Sequence, residues 1–286
     1  MNPSAEIRLV TARELRRSFR SSKGLLLALI AVLGGAGVST LFAWMDRMKR
    51  EAIASASNGL GGVDLSDAVA SAQEPLFEHL YGPATAKALA SAPYSLWMML
   101  MATLWLAPLL ISLLDYDAVS GEVQHRSVRF WTVRARRSSY IAGKALGAWL
   151  TVLAVTLGMN VIVWGVIVGI GQIPVAQVLT WGPRFFAVTI PISAAWCGVA
   201  MLVGSLFRTP MMSLLAISAA FTGLWIASVV AGLSERPWLA YLYPNTYDAL
   251  LLSPNAGDLA LGFAGPVVIA AVTTGAAALL FETRDV

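Results

Sequence analysis

The chain has 286 residues, of which 57% are hydrophobic and only 13% are charged, with a formal net charge of +4. Soluble domains carry about 25% charged residues, so this composition excludes an ordinary soluble protein and predicts an integral membrane protein. The positive charge does not indicate nucleic acid as a partner. Its basic residues cluster at the ends of apolar runs, where they would meet anionic membrane lipid.

The N-terminal arm, residues 1–23, is predicted to form an amphipathic helix on the cytoplasmic surface of the membrane. On a helical wheel Leu15 and Phe19 gather on one side, whereas Arg13 and Arg17 gather on another. A plain positively charged flank of the first span is the alternative interpretation.

Six apolar runs follow, and each exceeds the roughly 20 residues that a helix needs to cross a bilayer. We predict spans at residues 24–45, 92–114, 141–170, 184–207, 210–233 and 259–281. Because glycine and proline interrupt the third run near residues 169–174, residues 175–183 are assigned to an interfacial stretch that carries Trp181. The expected fold is therefore a single all-α transmembrane domain, residues 1–286, with six transmembrane helices.

The distribution of lysine and arginine predicts that both termini are cytoplasmic. In that orientation most of the 20 basic residues lie inside, as the positive-inside rule requires. The outer loops would be residues 46–87, which are turn-rich with a few helical patches, and residues 234–258. The second loop combines prolines with aromatic residues and is predicted to form short helices at the outer membrane surface.

No sequence motif indicates catalysis. The chain has no Gly-x-x-x-x-Gly-Lys-[Ser/Thr] loop, its two histidines, His79 and His125, lie outside the spans, and Cys197 is its single cysteine. We therefore predict a protein that is not an enzyme and that holds neither a metal nor a cofactor. The spans also lack residues expected to be buried and ionisable, which disfavours an ion-coupled transporter, so energy for transport would come from another chain.

A charged segment, residues 115–140, separates the second and third spans and would lie in the cytoplasm. Along it and into the third span the chain reads Asp117-Ala-Val-Ser-Gly-Glu122, then Arg126-Ser-Val128, then Arg137-Ser-Ser-Tyr-Ile-Ala-Gly-Lys144. This pattern resembles the loop between spans two and three of six-span, type V ABC exporter permeases. That family includes permeases of drug, lipid and polysaccharide exporters and of the nitrous-oxide reductase maturation system.

The resemblance implies the permease subunit of an ATP-driven exporter in the bacterial inner membrane. Residues from Glu122 to about Arg137 would form a coupling helix in a cleft of a separate cytosolic ABC ATPase, which would bind the ATP and Mg. The residues expected to couple to the ATPase are Asp117, Gly121, Glu122, Arg126, Arg129, Arg134 and Arg137. A solvated basic loop held at the lipid headgroups is the alternative for this segment.

The resemblance also implies a homodimer whose second and fifth spans line the translocation path. Trp97, Trp105 and Trp225 are candidates to face that path, with packing or interfacial anchoring as the alternative for each. Gly143-x-x-x-Gly147 is one of two small-residue motifs that would suit a dimer seam. A second possible function is a membrane anchor that transmits ATPase motion to an envelope process without moving a substrate.

Overall fold

The computed structural model describes residues 2–20, 22–59, 73–125, 135–234 and 236–283. Across these ranges the regular elements are helices, with no strand, which confirms the prediction of an all-α protein. Within the described ranges, five segments are long and apolar enough to cross a membrane: Tyr94–Gln124, Arg137–Gly169, Val175–Leu206, Pro210–Leu233 and Ala256–Glu282. The chain is therefore a multi-pass membrane protein.

Seven helices are long and four are short. The long helices are α1 (Pro3–Arg20), α2 (Ser22–Gly59), α5 (Tyr94–Asp115), α7 (Arg137–Gly169), α8 (Val175–Leu206), α9 (Pro210–Leu233) and α11 (Ala256–Glu282). The short helices are α3 (Gln73–Tyr81), α4 (Pro83–Leu89), α6 (Ser120–Gln124) and α10 (Asp248–Leu252). Two 3-10 turns, Pro237–Leu242 and Pro244–Tyr247, precede α10, in the loop where short helices were predicted. These counts refer to the described ranges alone.

Helix α8 lies at the centre of the bundle and contacts α5, α7, α9 and α11. Its Trp196 is fully buried, with its ring centroid 4.6 Å from that of Phe221 in α9. On another face, Gly198 lies against Ala270 and Thr273 of α11, so closely that a Cβ atom would not fit. Small residues allow such close approach of membrane helices, and this explains how one helix contacts four neighbours.

Two predicted boundaries differ from the structure. The predicted fourth span begins at residue 184, whereas α8 begins at Val175 and continues through Pro183, so residues 175–183 belong to the helix. A proline removes one backbone donor, but a membrane helix tolerates it when neighbouring groups compensate. Helix α2 likewise continues past residue 45 to Gly59, where the sequence suggested a turn-rich loop. Within α2 the apolar stretch Leu29–Met45 is shorter than the five candidate spans.

Helix α1 lies along the first half of α7, and two glycines of α7 make the contact possible. A Cβ atom on Gly143 would come within 2.7 Å of the Val10 Cβ, and one on Gly147 within 2.7 Å of the Glu14 Cβ. The Gly143-x-x-x-Gly147 motif therefore packs against α1 of the same chain, which corrects its interpretation as a dimer seam. A dimer contact at these two positions would require α1 to leave.

Candidate functional site

Five side chains from α1, α6 and α7 form a charge cluster at one end of the bundle, in which Arg17 is exposed and the other four are buried. The Lys144 Nζ donates to Glu122 Oε1 at 2.9 Å and to Glu14 Oε2 at 3.1 Å. The Tyr140 hydroxyl donates to Glu122 Oε2 at 2.7 Å, and the Arg17 guanidinium donates to Glu122 Oε1 at 2.8 Å. Glu122 therefore accepts three hydrogen bonds from two different helices.

Charge balance explains why these groups can be buried together. Lys144 is 1% exposed and Glu122 is 4% exposed. An unpaired charge at such a place would be strongly destabilising, whereas a paired and hydrogen-bonded charge is tolerated. The cluster contains two carboxylates, one ammonium and one guanidinium, so its formal charges cancel. Lys144, the buried cation, is therefore needed for Glu14 and Glu122 to stay buried as carboxylates.

Helical spacing brings the members of the cluster onto facing surfaces. Glu14 and Arg17 are three residues apart on α1, and Tyr140 and Lys144 are four residues apart on α7. Residues with these spacings project from one side of a helix, so each pair points at the other helix. Gly147, the glycine beneath Glu14, lets the two backbones approach closely enough for the side chains to meet.

Two further hydrogen bonds fasten α1 to α7. The Thr11 hydroxyl donates to the Gly143 carbonyl oxygen at 3.1 Å. The backbone N–H of Arg136 donates to Glu6 Oε2 at 3.1 Å, directly before α7 begins. This backbone N–H bond favours the ionised carboxyl and lowers the pKa of Glu6. Helix α1 is therefore held along its length, at Glu6, Thr11 and Glu14.

The structure brings some of the predicted coupling residues into internal contacts. Glu122 is inside the charge cluster, and it belongs to the five-residue helix α6. Arg137 donates from Nη1 to the carbonyl oxygen of Glu282 at 2.9 Å, at the end of α11. Asp117 and Gly121 share one turn, in which the Gly121 N–H donates to the Asp117 carbonyl oxygen at 3.0 Å. The other three predicted residues, Arg126, Arg129 and Arg134, lie outside the described residues.

A cavity of about 270 Å³ opens beside the charge cluster. Its lining combines charged and polar side chains from α1, from the turn after α5 and from α6 and the residue after it, and Pro210 at the start of α9 completes it. The residues are Arg13, Arg17, Tyr116, Asp117, Gly121, Glu122, His125 and Pro210. Three of the predicted coupling residues therefore border one concave surface, together with two arginines of α1.

The three candidate tryptophans of the path occupy two different environments. Trp105 in α5 is 62% exposed and Trp225 in α9 is 43% exposed, and both line the same cavity of about 540 Å³. Trp97 is 5% exposed and packs edge-on against Phe77, while its Nε1 donates to the Tyr81 hydroxyl at 3.0 Å. Trp97 is thus a core residue in this structure, as its alternative interpretation proposed.

Sequence reasoning missed Lys144 as a buried charge. The predicted third span, residues 141–170, already contained Lys144, yet the spans were taken to lack buried ionisable residues, whereas Lys144 lies inside α7 and is 1% exposed. The sequence does contain a signal, because Glu14 and Arg17 are three residues apart and Tyr140 and Lys144 are four residues apart, so each pair lies on one side of a helix. Their pairing depends on residues 130 positions apart, which the sequence pattern does not reveal.

These features define a multi-pass helical membrane protein with a charged anchor at one end of its bundle. The family model of the ABC-2 family transporter proteins matches residues 8–286, nearly the whole chain. The chain therefore belongs to the ABC-2 transporter membrane-protein family, whose members are transport permeases and pair with an ABC ATPase subunit. No curated protein gives a significant match to the chain.

Proposed function

We propose that this chain is the permease subunit of an ATP-driven exporter of the six-span, type V kind, with residues 24–45 as its first span. Two copies would form the translocation path in the bacterial inner membrane, with their termini in the cytoplasm. A separate ATPase would bind ATP and Mg. The observation that carries the proposal is the charge cluster, because it anchors the segment that follows α5 to both α7 and α1.

The charge cluster gives this segment a mechanical role. Residues 125–136 join α6 to α7, and both of their ends are fastened. Glu122 fixes the first end to Lys144, and the Arg136 N–H fixes the second end to Glu6. Arg137 adds a link to α11 through the Glu282 carbonyl oxygen. An ATPase that moves this segment would therefore move α1, α7 and α11 together.

This arrangement divides the predicted coupling residues into two groups. Glu122 and Arg137 would act as positioning residues, because their charged groups are engaged within the chain. Arg126, Arg129 and Arg134 would contact the ATPase directly. Asp117 would contribute at the edge of the neighbouring cavity. The function therefore needs internal anchors as well as contact residues.

The translocation path would lie between α5 and α9 of the two copies. These helices border the cavity that Trp105 and Trp225 share. Helix α9 buries only Ser213, Ile217, Phe221 and Ala231, so most of its apolar surface is free to face lipid or a second copy. A cavity between two spans, one of which is largely uncovered, suits a path that alternately opens and closes.

Co-purification tests the proposed partner. The tagged chain, expressed in its native host, is expected to carry a P-loop ATPase that mass spectrometry identifies. Replacing Arg126 and Arg129 together by alanine is expected to reduce the amount of bound ATPase about tenfold, which corresponds to about 1.4 kcal/mol. Arg236→Ala is the matched control, because this exposed arginine lies in the loop between α9 and α11.

Two outcomes would contradict the proposal. A chain that purifies without any ATPase and transports in response to a proton gradient would exclude the ATP-driven permease. ATP hydrolysis by the complex with no cargo crossing a vesicle membrane would exclude the exporter and favour the membrane anchor.

A further inference from the structure

The cavity that Trp105 and Trp225 share combines aromatic, polar and acidic residues in its lining. It is bordered by the middle of α5, the last half of α9, the chain between α9 and α10, and the first residue of α10. Its volume of about 540 Å³ is within the range of small-molecule sites. Its aromatic and polar lining residues are Trp105, Trp225, Tyr241, Tyr243, Asn245 and Asp248.

Asp248 is the one charged residue, and no basic residue occurs, among the described residues that line the cavity. Its Oδ1 accepts the backbone N–H of Ala249 at 2.7 Å. Two tyrosine hydroxyls, those of Tyr81 and Tyr243, interact with the carboxyl electrostatically. Burial raises the pKa of Asp248 to about 6, so the carboxyl is mainly ionised above pH 7. The cavity therefore carries a negative charge.

The aromatic walls complement that charge. The faces of tryptophan and tyrosine attract cations within about 6 Å of the ring centroid. Trp105, Tyr241 and Trp225 are each at least 43% exposed, so their rings are available to a ligand. The polar wall is fixed in place, because Asn245 donates to the Leu104 carbonyl oxygen at 3.0 Å and accepts from the Trp196 Nε1 at 2.9 Å.

We propose that this cavity binds an organic cation on an apolar body, with Asp248 supplying the countercharge and Trp105 and Trp225 supplying aromatic faces. As a statement about cargo, this inference rests on the proposed function. As a statement about binding, it needs neither the ATPase nor ATP. The cation could be a free lipophilic molecule or the ammonium headgroup of a membrane phospholipid, since both present the same chemistry.

Equilibrium dialysis of radiolabelled tetraphenylphosphonium tests the proposal with the full-length chain in dodecyl maltoside. We expect saturable binding that is not shared by tetraphenylborate, an anion of the same shape. Asp248→Asn removes the charge and keeps an acceptor for the Ala249 N–H, and it is expected to weaken binding about tenfold. Asp258→Asn is the matched control, because this acid bonds to Ser253 and does not line the cavity.

Two more measurements separate binding from folding and from titration. Trp105→Leu changes an exposed residue of a different wall, and it is expected to weaken binding while leaving the thermal unfolding midpoint unchanged. Lowering the pH from 7.5 to 5 is expected to weaken binding to wild type and to leave the residual binding of Asp248→Asn unaltered. Tyrosine hydroxyls stay protonated over this range, so Asp248 is the lining group that titrates.

Competing lipids distinguish the two sources of the cation. Displacement of tetraphenylphosphonium by phosphatidylethanolamine, but not by phosphatidylglycerol, would assign the site to a headgroup, whereas no displacement by either would assign it to a free cation. Equal affinity for tetraphenylborate, or unchanged affinity in both Asp248→Asn and Trp105→Leu, would overturn the proposal. Such a result would leave the ATPase co-purification untouched, so the two failures are distinguishable.

Discussion

Lys144 forms ion pairs with two carboxylates that come from different helices, although its side chain is almost inaccessible to solvent. Burying an ammonium group is unfavourable unless its partners are in place, and the same is true of the carboxylates. Glu14, Glu122 and Lys144 therefore stabilise the folded chain as a set. This mutual dependence is a property of single residues, and it can be tested by removing one of them.

Replacing Lys144 by methionine keeps the length of the side chain and removes its charge. Glu14 and Glu122 would then face each other without the ammonium group, so we expect a loss of about 3 to 5 kcal/mol in stability. Thermal unfolding in dodecyl maltoside measures this loss. The control is Lys87→Met, an exposed lysine of α4. Equal unfolding midpoints for the two variants would contradict the role given to the cluster.

At the scale of whole helices, the contact between α1 and α7 depends on two glycines of α7. The helical character of α1 follows from its sequence, because Leu15 and Phe19 gather apart from its arginines, and a helix is found over Pro3–Arg20. What α1 contacts does not follow from that pattern. The Gly143-x-x-x-Gly147 motif fits any close helix pair, and only the three-dimensional arrangement assigns it to α1.

Introducing a large side chain at Gly147 tests this contact. Gly147→Leu is expected to push α1 away from α7 and to lower stability by about 1 to 3 kcal/mol, because a Cβ atom there already meets Glu14. Maleimide labelling of Thr11→Cys in a Cys197→Ala background reports the displacement, since Thr11 is 7% exposed.

Labelling of that cysteine should be slow when Gly147 is present and several times faster with leucine. Gly158→Leu serves as the control, because a Cβ atom at this position of α7 meets nothing within 4 Å among the described residues. Equally slow labelling with the wild-type glycines, with Gly147→Leu and with Gly158→Leu would show that the position of α1 does not depend on its contact with Gly147.

Three features of the whole molecule were predictable to different extents. Composition and the length of the apolar runs were sufficient for the fold class, because a bilayer admits few alternatives to helices. Helix ends were less predictable. Helix α8 continues through Pro183, because its packing against neighbouring helices outweighs the local effect of the proline. Helix α2 continues to Gly59, because good helix formers follow residue 45. The charge cluster was not predictable, because it joins residues far apart in the chain.

The role of the whole molecule depends on whether the charge cluster transmits movement from an ATPase. Glu122→Gln tests this transmission most specifically. Glutamine keeps an acceptor for the Tyr140 hydroxyl, and Lys144 keeps Glu14 as a partner, so the fold is expected to survive while the anchor is weakened. Glu78→Gln is the matched control, because Glu78 is exposed on α3, outside the cluster.

The most direct measurement is the rate of ATP hydrolysis by the ATPase that co-purifies with the chain, normalised to the folded permease. We predict that wild type and Glu78→Gln have equal rates of ATP hydrolysis and that Glu122→Gln has a rate about tenfold lower. A tenfold loss corresponds to about 1.4 kcal/mol, the scale of one weakened hydrogen bond to a charged group. Undiminished activity in a folded Glu122→Gln variant, or a wild-type chain that binds no ATPase, would contradict it.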